Sequence, residues 1–179
     1  MADIETKLSQ NQPLKTQKIF IGAQIFLRIV VVATSFASTW LMLTNKQIID
    51  IGGFRNGFEN PLFCRFLSYA NIVVGAFSFM SFLFLVLVGR RSSNPTQYFI
   101  LFLHDLALMC LLIGGCAAAT AIGSLGKYGN SHTGWMQICD HFGKFCNRAT
   151  TSVTFSYFSL ICLLILTITS ASKSRQIQA

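Results

Sequence analysis

Charged residues are scarce in this chain. Asp, Glu, Lys and Arg make up 11% of its 179 residues, where soluble globular domains carry about 25%. That deficit excludes an ordinary water-exposed surface over most of the chain. No pair of carboxylates is spaced for general acid–base work, and there is no HExxH, GxSxG or P-loop sequence. The reading is therefore of a protein that is not an enzyme and needs no cofactor or metal. The formal charge of +8 comes from basic residues that are dispersed, with no basic run and no interleaved aromatic platform. This argues against nucleic acid as a partner. N-glycosylation sequons and lipidation motifs are also missing.

Long apolar segments are present instead. Hydrophobic residues make up 53% of the chain, Phe alone occurs 17 times, and mean hydropathy is +0.56. Four segments stand out, at about 19–43, 63–88, 98–122 and 150–171. Each reaches the roughly 20 residues that a helix needs to cross the hydrocarbon. The first is too long and starts too late for a secretory h-region, and is expected to be retained. The fold expected is all-α: a four-transmembrane-helix bundle, up-down-up-down, with a membrane domain over 19–171 between tails at 1–18 and 172–179.

Four spans put both termini on one side. Basic residues divide almost evenly between the two sides, so position has to decide. Arg90 and Arg91 abut a helix end in a short connection, and Lys173 and Arg175 follow the last span. Short juxtamembrane loops carry the positive-inside signal, which places both termini in the cytosol.

Within the spans, Arg28 and Asp105 are isolated charges of opposite sign. A charge at the centre of a bilayer-length helix costs about 2.5–3.5 kcal/mol on insertion scales. Spans one and three run parallel, and both charges lie some 12–15 Å in from the same side at 1.5 Å per residue. An intramembrane ion pair follows, with a transport or proton-relay role as the alternative. His104 points about 100° away from Asp105 around the helix. Small and polar residues at spacings of three and four mark packing seams: Ser68, Asn71, Gly75 and Ser78 in span two, and Gly115 and Ala119 in span three. Ser152, Ser156, Ser159 and Cys162 line one side of span four. The spans otherwise look poor in polar positions on any full face, which implies a closed, dry interior.

The second outer loop, about 28 residues by this count, holds Cys139 and Cys146. In an oxidising compartment they can pair, with Gly143 between them as a place to turn. Read with His132, Asp140 and His141, these cysteines match no standard zinc spacing.

Arg28, Asp105 and the loop Gly129-Asn130-Ser131-His132-Thr133-Gly134-Trp135-Met136-Gln137-Ile138-Cys139, continued by Phe145-Cys146, resemble the plant CASP-like family. These are relatives of the Casparian strip membrane domain proteins and, more distantly, of MARVEL-domain proteins. Tyr69-Ala70-Asn71 at the start of span two adds to the resemblance. The segment from Thr44 to Leu62 does not look like the first-loop stretch of strip-forming members, which points to the first CASP-like subgroup. The resemblance implies a plant plasma-membrane protein that acts as a scaffold. It implies homo-oligomers, hetero-oligomers with related members, contact with membrane lipid, and recruitment of wall-modifying enzymes. The other reading is a small-solute or ion channel lined by Arg28 and Asp105.

Overall fold

The computed structural model describes the backbone of residues 2–45, 47–51, 54–58, 62–88 and 95–178, and the side chains of residues 19–45, 65–87 and 96–175. The connection that carries Arg90 and Arg91 lies outside the described residues. Four long helices dominate: α1 (Ala2–Leu43), α2 (Leu62–Val88), α3 (Pro95–Tyr128) and α4 (Gly143–Gln178). Within them lie four stretches long and apolar enough to cross a membrane, at Ile19–Leu43, Arg65–Leu87, Thr96–Tyr128 and Gly143–Arg175. Hydrocarbon offers backbone N–H and C=O groups no partner, so an apolar segment of this length closes its own hydrogen bonds as helix. Threonines inside the spans do the same locally. The hydroxyls of Thr34, Thr39, Thr120 and Thr167 each donate back to the carbonyl four residues earlier.

The connection between α1 and α2 adds two strands, β1 (Gln47–Ile51) and β2 (Phe54–Phe58). They pair antiparallel, with Gln47 opposite Phe58 and Ile51 opposite Phe54. The sequence reading had no structure for this loop. Three isoleucines among five residues favour strand over helix, and the hairpin stands outside the all-α membrane part.

The helices close into a ring. α1 packs on α2 and α4, and α3 packs on the same two neighbours. α1 and α3 therefore stand at opposite corners, as do α2 and α4. Apolar side chains turn outward around the ring, including Phe26, Phe36 and Trp40 of α1 and Ile161, Leu164 and Ile168 of α4. Inside, an apolar core runs through Val31, Leu67, Val74, Leu112, Leu163 and Leu166. Polar residues share that interior, because Gln24, Ser35, Ser38, Asn71, Ser78 and Ser156 are all buried. The expectation of spans without a polar face is thus corrected. Lipid rewards apolar surface outside the ring, so hydroxyls and amides collect inside, where they find one another.

Helices also outrun the apolar segments. α3 continues to Tyr128 and α4 begins at Gly143. The loop between α3 and α4 is accordingly residues 129–142, half the expected length. Hydropathy marks where lipid ends, whereas a helix continues until its hydrogen bonds are broken. Here Gly129, with φ of 67°, ends α3 while its N–H still donates to the Leu125 carbonyl. A Cβ at Gly129 would lie 2.8 Å from the Trp135 carbonyl oxygen, so glycine is required there twice over.

Candidate functional site

The centre of the bundle is built on Arg28 and Asp105. Each lies about 14 Å in from the start of its span, Ile19 for one and Thr96 for the other, at 1.5 Å per residue. Arg28 Nη1 donates to Asp105 Oδ1 at 3.0 Å, and Nη2 donates to Oδ2 at 2.8 Å. Both side chains are fully buried. The fork of two parallel bonds is the strong form of a guanidinium–carboxylate contact. Because α1 and α3 are diagonal, this contact spans the bundle axis. His104 sits beside it, less buried. Its Nδ1 is 3.5 Å from Asp105 Oδ1 and 3.3 Å from Ser81 Oγ on α2.

A second diagonal crosses the first. Asn71 of α2 donates from Nδ2 to Ser156 Oγ of α4 at 2.9 Å, and also to the Leu67 carbonyl at 3.0 Å. Ser156 in turn meets Ser38 of α1 at 2.8 Å. Ser38 and Ser152 exchange bonds with each other's backbone carbonyls at 3.0 and 2.9 Å. Thr34 and Ser159 continue this seam one turn away, and Gln24 Nε2 reaches Ser170 Oγ at its other end. Ser38 lies about 15 Å along α1 from Arg28. The bundle is therefore braced along both diagonals at two depths.

The seam residues read from the sequence lie within this interior. Gly75 faces Ser35 and Phe36, where a Cβ would stand 3.5 Å from Ser35 Cβ. A Cβ at Gly115 would come within 3.2 Å of Leu67 Cδ1 and 3.4 Å of Ala70 Cβ. Ser68, Asn71, Ser78 and Ala119 are buried. These seams join helices of one bundle and do not face lipid.

At the loop end, Cys139 and Cys146 are joined by a disulfide with Cα atoms 5.7 Å apart. Cys146 lies in the first turn of α4 and Cys139 in the loop before it. The Gly126 carbonyl of α3 accepts from Ile138 N and Cys139 N at 2.9 and 3.1 Å, so the bridge fastens α4 to the end of α3. Asn130 organises the rest. It pairs with Trp135 through two backbone bonds, and its Oδ1 accepts from His132 N at 3.0 Å. Phe145 is buried, and its carbonyl accepts from Asn45 Nδ2 at 2.9 Å. Trp135 remains about half exposed. Among the described residues, no three His, Cys, Asp or Glu side chains gather as metal ligands.

An intramembrane arginine–aspartate brace inside four spans, with a disulfide-tied loop between α3 and α4, defines a class of tetraspan membrane protein. Residues 17–162 match the Casparian strip membrane protein domain, and the chain belongs to that family, whose members are structural and not catalytic. It is 86% identical over 181 residues to "CASP-like protein 1F2" of Populus trichocarpa, covering 99% of each chain. Identity is 67% to "CASP-like protein 1F1" of Populus trichocarpa, over the full length of both. It is 54% to the protein of that name from Ricinus communis, over 99% of each. No solved structure matches the chain. The protein is thus a multi-pass membrane protein of the plant CASP-like group, consistent with the family's plasma-membrane localisation.

Proposed function

We propose that the protein is a non-enzymatic scaffold whose copies associate side by side in the plasma membrane, alone and with related family members, into a platform for cell-wall-modifying partners. Its termini, 1–18 and 172–179, then lie in the cytosol, and the disulfide loop lies outside, where an oxidising compartment sustains it. The observation that carries this reading is the Arg28–Asp105 fork across the axis. A selective pore needs polar or charged groups repeated along an open route. Here the two intramembrane charges are consumed by each other at the point where a route would pass.

Association needs an outward face. α3 supplies one, because Ala107, Cys110, Gly114, Ala117, Ala121 and Ser124 are all exposed. They recur at alternating steps of three and four, the heptad period of a close left-handed helix pair. Small residues let membrane helices approach where lipid tails give no hydrophobic drive. Cys110 is free and exposed on this face. Mild oxidation of the protein in lipid bilayers should give a dimer band that disappears in Cys110→Ser. A cysteine placed at Ile168 on α4, in the Cys110→Ser background, should give none. Monomer alone with every cross-linker tried, including amine-reactive ones, would contradict self-association.

A further inference from the structure

Among the described residues, two groups beside the central ion pair find no protein partner. Arg28 uses both Nη atoms on Asp105, but its buried Nε–H reaches no acceptor among the described residues. Ser78 Oγ on α2 is likewise buried and without a partner. Ser78 lies one turn along α2 from Ser81, whose hydroxyl meets His104 beside Asp105. Arg28 and Ser78 have no solvent exposure at all. Ser78 lies seven residues from Asn71, on the face of α2 that reaches across the axis, and within about one turn of the fork's level. α2 flanks both α1 and α3.

A buried polar group without a hydrogen bond is costly, and more so next to a charge in a low dielectric. Native interiors satisfy such groups with ordered water that makes two to four bonds. We propose that Arg28 Nε and Ser78 Oγ together hold an internal water molecule against the ion pair. The donor set selects water over an ion. The arginine offers one N–H, the serine hydroxyl both gives and accepts, and the pair carries no net charge. An anion would call for several converging donors, and a cation for several converging oxygens. A single small molecule that donates and accepts fits both. Buried Val31, Val74 and Leu163 close the position on one side, and buried Leu85, Tyr98 and Leu101 close it on the other. The water is a trapped structural component, not one link of a conducting file. It extends the brace from α1 and α3 to α2.

Proton-detected solid-state NMR of the 15N-labelled protein in lipid bilayers tests this directly. The Arg28 Nε–H signal is assigned by its loss in Arg28→Lys. In the unaltered protein it should show magnetisation transfer from water, exchanging more slowly than the arginines at the membrane edges. In Ser78→Ala that transfer should fall at least several-fold while the Nε–H signal itself remains. An Arg28 Nε–H signal with no transfer from water in the unaltered protein would overturn the proposal, with no variant needed. Transfer of unchanged strength in folded Ser78→Ala would overturn it too.

Discussion

A guanidinium and a carboxylate facing each other in hydrocarbon are tolerable only together. Removing one leaves the other buried and uncompensated, at about 3–5 kcal/mol. Arg28→Ala and Asp105→Ala should each lose most of the folded yield, measured by detergent-resistant, disulfide-intact protein. The double substitution should recover part of that loss, and additive losses in this cycle would deny the coupling. The neutral diagonal is weaker. Hydrogen bonds between membrane helices average about 0.6 kcal/mol, with a maximum near 1.7. Asn71→Leu and Ser156→Ala should therefore show a coupling of that order in reversible unfolding, several-fold below the ionic one. The two diagonals were unequally legible in the sequence for the same reason. A lone charge in a span demands a partner of opposite sign, and the chain offered one at matching depth. Asn71 and Ser156 are neutral, and a serine in a membrane helix can satisfy itself on its own backbone, as Ser156 also does with the Ser152 carbonyl.

At the scale of the element, α3 carries two small-residue registers with opposite uses. Gly115 packs against Leu67 and Ala70, whereas nothing stands within 4 Å of a Cβ at Gly114. Gly115→Val should destabilise the bundle by about 1–3 kcal/mol through overpacking. Gly114→Val should leave unfolding unchanged and reduce oxidative dimerisation through Cys110. A reversal of these two effects would mean that the inner and outer faces of α3 are misassigned. The sequence displayed both registers at once, since Gly114 and Gly115 are adjacent, and spacing alone does not say which faces protein. Helix ends were hidden differently. Lys127, Lys144 and Arg148 end the apolar segments without ending the helices, because charges past the hydrocarbon still fit a solvated helical turn. The hairpin of β1 and β2 escaped notice because a first loop of this length needs no structure to join two spans.

The whole molecule is an inverted core. Apolar residues cover the outside, polar ones line much of the inside, and every helix is tied to its diagonal opposite. Such a body suits a passive building block more than a conduit, since opening the axis would require breaking the Arg28–Asp105 fork. The loop end is held as firmly, by the Cys139–Cys146 bridge and by Asn45 on the Phe145 carbonyl. Reduction of the bridge, or a Cys139→Ser and Cys146→Ser double change, should loosen residues 129–142 while leaving the four spans inserted. Protease susceptibility of the loop against that of the bundle reads this out, and loss of the entire bundle would place the bridge deeper in the fold than the geometry does. The central claim is that the axis is closed and the protein builds platforms without passing solutes. Ion flux from loaded liposomes that contain the pure protein, at densities where cross-linking shows oligomers, tests it most directly. The account predicts liposomes as tight as protein-free ones; reproducible, selective flux that vanishes in Asp105→Asn would contradict it.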